Sequence, residues 1–229
     1  MLLLAFDTGG PDCAVALAGD GGGPPAILAS TIERLGRGHA ERLMPMMEAT
    51  LAEAGVPFAD LDRIAVTTGP GSFTGVRVGI AAARALALSL DIPAVGVGSL
   101  AALAAPTLQD NSTGTAVAVL DAKRGEIYAH VQDIASRAVL VEAAAMRVGD
   151  LAKTLDQAAL PLLLTGGAAP LLAGALEDRE ARIVGTLVSP DVAAVALLGL
   201  RAETASPPVP LYARGADAKP QAAKAVARA

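Results

Sequence analysis

Residues 66–90 read VTTGPGSFTGVRVGIAAARALALSL, and this stretch decides the fold prediction. A short β-branched run at 64–66 precedes a Gly-Pro-Gly turn, and a long, almost uncharged stretch follows it. The pattern predicts a strand–loop–helix unit, in which the backbone N–H groups at the start of the helix face an anion or a closely packed neighbour.

The predicted helix has one face with almost no side-chain bulk, because Gly75, Gly79 and Ala83 follow one another at helical spacing. Its only charges are Arg77 and Arg84, which lie seven residues apart. Another backbone can approach such a face closely, so the helix is expected either to be buried in its own domain or to contact a partner.

The composition predicts a chain whose core is built from many small contacts. Hydrophobic residues make up 53% of the 229 residues, aromatic residues only 2%, and there is no Trp. No apolar run approaches the ~18 uncharged residues that a membrane span requires, so a cytoplasmic protein without membrane contact is expected. The single cysteine, Cys13, excludes an internal disulfide framework and a multi-cysteine zinc site.

The charge of the chain disfavours an autonomous nucleic-acid binder. Its 18 basic residues face 23 acidic ones, which gives a net charge of −5, whereas nucleic-acid binders usually carry a basic patch that neutralises phosphates. A subunit that touches RNA only within a larger assembly stays open.

A hairpin pattern of strand, Asp, turn and strand occurs twice, with the carboxylates at Asp7 and Asp121. The first copy belongs to a predicted meander of three strands over residues 2–33, and the second begins at residue 115. Between the copies, the polar stretch 106–114 indicates a domain boundary. We therefore predict two similar α/β domains, residues 1–105 and 106–214, whose last helix packs back on the first domain, followed by a disordered tail at 215–229.

The glycine-rich loop and the first hairpin bend together suggest a vestigial phosphate or nucleotide loop, formed by Asp7, Thr8, Gly69, Gly71 and Ser72. The loop lacks the Gly-Lys-Ser/Thr sequence of a Walker loop, and tight-turn glycines with a Ser or Thr helix cap explain the same residues. The carboxylate of the bend would equally form a local Asx turn. With two isolated histidines in the chain, no metal site is expected.

Residues 39–55 are predicted to form a helix with an apolar stripe at Leu43, Met47 and Leu51. This stripe is compatible with an ordinary core. The neighbouring methionines, among them Met44, together with the small residues and arginines of the next helix, are also typical of a protein interface.

Several motifs resemble the TsaB family, also called YeaZ. They are FDT at 6–8 with AVAL at 14–17, HAERLMP at 39–45, TGPGSFTGVRVG at 68–79, DAKRGEIY at 121–128 and PLYAR at 210–214. The resemblance extends from residue 1 to about residue 214. Ala40 and Gly9 depart from the family pattern, which often has Ser at both positions.

The resemblance implies an α/β, actin/Hsp70-like (ASKHA) fold of two tandem RNase-H-like domains, each with a mixed sheet and flanking helices. It further implies a non-catalytic dimerisation subunit for N6-threonylcarbamoyladenosine formation at position 37 of tRNAs that read codons beginning with A. The catalytic paralogue TsaD and the ATPase TsaE would be its partners, and tRNA would be met only through the complex. Alone, the chain would form a homodimer. No cofactor is expected, except a nucleotide shared at the interface with partners.

The family pairs with its partner through two helices that correspond to 39–54 and 73–90. The implied interface residues are His39, Leu43, Met44, Met47, Leu51, Val76, Arg77, Gly79, Ile80, Ala83 and Arg84. The rival hypothesis is an enzyme that acts alone, either an actin-fold ATPase or kinase or a glycoprotease-like protein. The absence of a P-loop lysine and of a metal-binding histidine pair argues against that rival.

Overall fold

The computed structural model describes residues 1–176, 179–204 and 206–213. Within these ranges the chain forms ten strands in two five-stranded sheets, together with six α-helices. The two sheets and their helices follow one another along the chain, one set in each half.

The first sheet has the strand order β3-β2-β1-β4-β5. Its strands are β1 (Leu2–Asp7), β2 (Asp12–Gly19), β3 (Ala26–Arg34), β4 (Arg63–Gly69) and β5 (Ala94–Gly98). The first three form an antiparallel meander, and β4 and β5 add to β1 in parallel. The predicted meander is therefore confirmed.

The second sheet repeats this topology. Its strands are β6 (Thr115–Lys123), β7 (Glu126–Asp133), β8 (Val139–Arg147), β9 (Leu162–Thr165) and β10 (Ala181–Ile183). They run in the order β8-β7-β6-β9-β10, with β6, β7 and β8 antiparallel and β9 and β10 parallel to β6. This duplication confirms the predicted fold class of two tandem RNase-H-like units.

A helix follows the third, fourth and fifth strand of each sheet. These helices are α1 (His39–Ala54), α2 (Phe73–Leu90) and α3 (Ser99–Asp110) in the first half, and α4 (Val148–Thr154), α5 (Ala169–Ala175) and α6 (Val192–Arg201) in the second. Short 3₁₀ helices cover Phe58–Asp60 and Leu155–Gln157.

Helices α1 and α2 pack on one face of the first sheet. Alternate strand residues point into this layer, among them Phe6, Val15 and Val66, and all three are fully buried. The layer excludes water from an apolar surface that extends along both helices, which is the main source of its stability.

The third helix of each half packs against the sheet of the other half. Helix α6 lies on the second face of the first sheet, where Gly199 permits an approach so close that a Cβ there would lie 2.5 Å from the Ala65 Cβ. Helix α3 places Leu100 and Leu103 against Ala118 of the second sheet. The alanine-rich sequence of both halves thus serves close packing of helices on sheets.

Helix α3 is longer than the sequence predicts. The polar stretch 106–114 indicates a loop, yet the helix continues through Pro106 to Asp110 because Thr107 is buried and Leu108 packs against the second sheet. The helix crosses the predicted boundary between residues 105 and 106, and the division at that point stays a prediction. Arg214 and the predicted disordered tail at 215–229 lie outside the described residues.

Candidate functional site at the cleft and on helix α2

Asp7 stands at the end of β1, and its carboxylate ties the first hairpin to β4. The side chain is 1% exposed. Its Oδ1 accepts hydrogen bonds from the backbone N–H of Gly9, at 3.0 Å, and from the hydroxyl of Thr67. The predicted Asx-type turn is thus present, and one oxygen of the carboxylate serves the fold.

Burial raises the pKa of Asp7, because desolvation disfavours the carboxylate. The hydrogen bonds from Thr67 and Gly9 and the nearby His39 act in the opposite direction but do not outweigh it. The Oδ2 atom has no hydrogen-bond partner among the described residues. The group is therefore a costly feature of the fold in its charged form.

The small-residue face of α2 is turned inward, against the end of β1. The Thr8 hydroxyl donates a hydrogen bond to the Gly75 carbonyl oxygen at 2.7 Å. A Cβ on Gly75 would lie 2.0 Å from the Thr8 carbonyl oxygen, and one on Gly79 would lie 2.6 Å from the Thr8 hydroxyl oxygen. The closely packed neighbour that the sequence predicted is thus part of the same chain, Thr8 directly after β1.

Most residues of the predicted interface are turned toward the chain's own core, and their role at an interface stays a prediction. The positions that face the chain's own core are Leu43, Met47, Leu51, Val76, Gly79, Ile80 and Ala83, and His39 at the start of α1 is also buried. All of these positions are buried, because they cover the first sheet. Met44, Arg77 and Arg84 are exposed, so among the predicted residues only these three lie on the protein surface.

The outer face of α2 carries an apolar stripe that the sequence reasoning missed. Phe73 is 61% exposed, Leu88 is 85% exposed, and Ala81 and Ala85 lie between them on the surface. By length and composition α2 is long and apolar enough to cross a membrane, a test that core helices also pass. Because its inner face covers the first sheet, the stripe is an exposed apolar surface of a packed helix.

The exposed side of α1 is mixed in character. It presents Met44, 41% exposed, beside small residues and three carboxylates, those of Glu41, Glu48 and Glu53. Its one exposed arginine, Arg42, pairs with Glu33 of β3. The surface of α1 is thus acidic, whereas the charges of α2 are positive.

The Gly-Pro-Gly loop is a tight turn that fixes the start of α2. Gly69 has φ +102°, which favours glycine. The backbone N–H of Ser72 donates to the Gly9 carbonyl oxygen at 2.7 Å, and the Ser72 hydroxyl caps the helix by accepting from the N–H of Gly75 at 3.3 Å. These N–H groups have partners within the chain, and a phosphate-binding role for the loop stays a prediction.

A cleft of about 900 Å³ separates the two halves. The first half lines it with the β1–β2 turn, the loops before α1 and α2, and His39; the second half contributes residues 120–123, Tyr128, Gly167 and Val188. Among the described residues, no group of three or more His, Cys, Asp or Glu side chains could hold a metal ion.

The chain's last described residues lie against the start of α2. The Tyr212 hydroxyl accepts a hydrogen bond from Arg77 Nη2 at 2.8 Å, and the Arg77 guanidinium carbon lies 3.7 Å from the centre of the Phe73 ring. The PLYAR motif at 210–214 was the only sequence signal for this contact.

The family model for TsaD, tRNA N6-adenosine threonylcarbamoyltransferase, matches residues 28–165. The tRNA threonylcarbamoyladenosine biosynthesis protein TsaB of Escherichia coli is 38% identical over 128 residues, which cover 56% of this chain and 53% of that protein. A Pseudomonas aeruginosa structure, described as an uncharacterized protein with similarity to peptidase YeaZ, has a TM-score of 0.75 at 30% identity and covers 93% of this chain and 99% of that one. The chain belongs to the TsaB/YeaZ family.

The relationship is uneven along the chain. A second structure, YeaZ from Pseudomonas aeruginosa, has a TM-score of 0.70 at 27% identity and covers 92% of this chain and 99% of that one, whereas the sequence match spans about half the length of the curated relatives. The match to the family model includes all of α1 and α2, the helices whose outer faces are exposed.

Proposed function

We propose that this chain is a non-catalytic subunit of the machinery that forms N6-threonylcarbamoyladenosine at position 37 of tRNAs that read codons beginning with A. In this role it binds the catalytic TsaD-type subunit, an ATPase of the TsaE type joins the pair, and tRNA is met only through the complex. The name of the Escherichia coli relative supports the pathway. The match to the TsaD family model supports a partner of related fold.

The observation that carries the proposal is the exposed apolar face of α2. Leu88 is 85% exposed and Phe73 is 61% exposed, with Arg77 and Arg84 beside them on the same face, and exposed aromatic and apolar side chains combined with arginine are typical of protein interfaces. We place the contact on this outer face and not on the buried residues that the sequence suggested. Arg77, Arg84 and Met44 remain part of it.

The charges of the two helices support association of this chain with a second copy or with a subunit of the same fold. The carboxylates exposed on α1 and the arginines exposed on α2 have opposite signs, so two copies that pack with α1 against α2 would place unlike charges together. A partner of the same fold can use the same arrangement. The surface therefore suits a homodimer when the chain is alone and a TsaD-type subunit when it is present.

The proposal of a non-catalytic role is supported by the state of Asp7. An actin-fold ATPase or kinase would need this carboxylate to face the cleft, whereas here it is 1% exposed and is not among the residues that line the cleft. The 900 Å³ cleft is the feature that favours the second candidate, an enzyme that acts alone. That candidate predicts turnover of ATP or of a peptide by the isolated chain that disappears in Asp7→Ala.

The experiment that tests the docking role compares two leucines on equivalent helices. Leu88→Glu places a charge on the exposed face of α2, and Leu171→Glu places one on the exposed face of α5, where the leucine is 58% exposed. The purified TsaD-type subunit of the same organism is titrated with each folded variant. We expect Leu88→Glu to weaken binding by about 30-fold or more, as at an interface hot spot, and Leu171→Glu to bind like the unaltered chain. Equal binding by both variants would exclude α2 as the docking surface.

Light scattering of the isolated chain complements this test. If the same face forms the homodimer, Leu88→Glu is expected to be a monomer at concentrations at which the unaltered chain and Leu171→Glu are dimers. A stable dimer of Leu88→Glu would assign the homodimer to another surface.

A further inference from the structure

The segment of residues 207–213 connects the two halves of the molecule. The backbone N–H of Leu211 donates to the Thr68 carbonyl oxygen of β4 at 2.8 Å, and the Ala213 carbonyl oxygen accepts from the N–H of Ala145 in β8 at 2.9 Å. Pro208 also lies close to β5, since a Cβ on Gly96 would be 3.4 Å from its Cβ. The segment is thus hydrogen-bonded to the first sheet and to the second.

Three planar groups meet where this segment passes the start of α2. Arg77 donates to the Tyr212 hydroxyl from Nη2 at 2.8 Å and from Nε at 3.3 Å, and its guanidinium carbon lies 3.7 Å from the centre of the Phe73 ring. The two rings are 6.2 Å apart. These contacts hold the side chains of Phe73, Arg77 and Tyr212, called here the aromatic anchor, in one arrangement.

The aromatic anchor is ordered by its own contacts and is nevertheless open to solvent. Phe73 is 61% exposed and Tyr212 is 58% exposed. The chain has three Phe and two Tyr in all, and two of these five rings lie here, outside the core. Aromatic residues and arginine supply most of the binding energy at protein interfaces, and side chains that are already positioned lose less entropy on binding.

The charges around the aromatic anchor indicate what binds it. Arg77 and Arg84 are both exposed on α2, and neither has a carboxylate partner in the part of the chain that the structure describes. Leu88 and the exposed alanines of α2 continue the surface away from the anchor. A helix that carries a carboxylate flanked by aliphatic side chains would neutralise the arginines and cover the apolar stripe at once.

We infer that the aromatic anchor is the energetic centre of the docking surface, and that segment 207–213 is part of this surface. The occupant is an acidic, aliphatic helix of the TsaD-type subunit, so the inference rests on the proposed function and deepens it. Because segment 207–213 is hydrogen-bonded to both sheets, Tyr212 is fixed to the second half of the chain as well as to the first. A partner that binds at Tyr212 therefore contacts both halves at once.

The test measures binding of the purified TsaD-type subunit to the full chain by calorimetry. Tyr212→Ala removes the ring, and Tyr212→Phe keeps the ring but removes the hydroxyl acceptor. Leu187→Ala is the control, since Leu187 is 59% exposed and belongs to the second half. We expect a loss of about 30-fold or more for Tyr212→Ala, less than about 3-fold for Tyr212→Phe, and no change for Leu187→Ala.

A second variant tests the charge without touching the segment. Arg77→Glu is expected to weaken binding at least as much as Tyr212→Ala, with Arg77→Lys in between, because lysine keeps the charge but not the planar stack. Circular dichroism verifies that each variant is folded. The variants in α2 and in segment 207–213 thus test the aromatic anchor from two different parts of the chain.

The outcomes separate the inference from the proposed function. If Leu88→Glu abolishes binding while Tyr212→Ala and Arg77→Glu bind within about 3-fold of the unaltered chain, the inference fails and the docking role stands. If the unaltered chain does not bind the subunit, both fail. Anchor-dependent binding of a single-stranded RNA oligonucleotide, with protein binding unchanged, would overturn the inference in favour of base stacking.

Discussion

The two halves share one topology but differ in the helices that follow their third and fourth strands. In the first half these helices have 16 and 18 residues, whereas α4 and α5 have 7 each. Helices α4 and α5 therefore have about two turns each, and α1 and α2 present far longer surfaces. Both long helices cover the first sheet with their inner faces and leave their outer faces exposed.

The two halves also differ in how closely the helix after the fourth strand approaches its sheet. The glycines of α2 contact the end of β1, whereas a Cβ on Gly174 of α5 would meet nothing within 4 Å. Glycine in a helix is destabilising unless close packing needs it. In α2 it is needed, and in α5 it is not.

The largest effect is expected from breaking this contact. Gly75→Ala would put a Cβ 2.0 Å from the backbone oxygen of Thr8, just after β1, and relief requires movement of the helix, at a cost of about 3 kcal/mol or more in the free energy of unfolding. The matched change Gly174→Ala is expected to stabilise the chain by up to about 1 kcal/mol. Urea denaturation of both variants measures the difference, and equal responses would contradict the packing described for α2.

A smaller effect is expected at the C-terminal ends of α3 and α6, the helices that pack against the sheet of the other half. Arg63 Nη1 donates to the carbonyl oxygens of Gly199, Leu200 and Ala202, at 2.9, 3.3 and 3.0 Å, and so caps α6 from the first sheet. Arg63→Ala is expected to cost about 2 kcal/mol of unfolding free energy, since the bonds involve a charged donor. The corresponding end of α3 is capped locally by Asn111 Nδ2, which donates to the Thr107 carbonyl oxygen at 2.9 Å.

Asn111→Ala is the control for this comparison, with an expected cost of about 1 kcal/mol. Thermal unfolding of the two variants measures both values. If Asn111→Ala cost more than Arg63→Ala, the cap from the other half would contribute less than the local one, contrary to expectation.

The smallest effect is expected at the two hairpin carboxylates, and it depends on pH. Burial raises the pKa of Asp7, whereas the hydrogen bond from Lys123 lowers the pKa of Asp121. A folded-state pKa above the unfolded value means that Asp7 destabilises the fold at neutral pH, and that this cost disappears as the pH falls below the unfolded value. Asp121 has the opposite sign, and its contribution is small because the side chain is 55% exposed.

We therefore expect Asp7→Asn to raise the melting temperature at pH 7 and to lose this advantage in acid. Asp121→Asn should change the melting temperature little, with a slight decrease at neutral pH. Melting curves between pH 4 and pH 8 provide the measurement. A decrease for Asp7→Asn at neutral pH would show that its hydrogen bonds outweigh its desolvation.

Local patterns predicted the strands and most of the helices, because a hairpin or a capped helix is specified within a few residues. Helix α1, expected at 39–55, occupies His39–Ala54. Helix α3 exceeded its prediction because its continuation depends on contacts with the second sheet. Such contacts override the local preference of a polar, proline-containing stretch.

The orientation of α2 was not predicted, although Arg77 and Arg84 lie on its exposed face. Apolar side chains occur on both faces, glycines and alanines on the inner one and Phe73, Ala81 and Leu88 on the outer one, so hydrophobic periodicity alone does not show which face covers the sheet. The contact of Arg77 with Tyr212 spans 135 positions, and no spacing rule connects residues so far apart. The sequence could therefore suggest the fold, whereas the exposed face of α2 and its contact with Tyr212 are seen only in the structure.

The exchange of α3 and α6 makes each half of the chain depend on the other. A break in the connection between the halves would give two fragments, each carrying a helix that completes the other and lacking the helix that completes itself. Each fragment would expose the apolar sheet face that the other fragment's helix covers, so we expect the two fragments to be stable only as a pair.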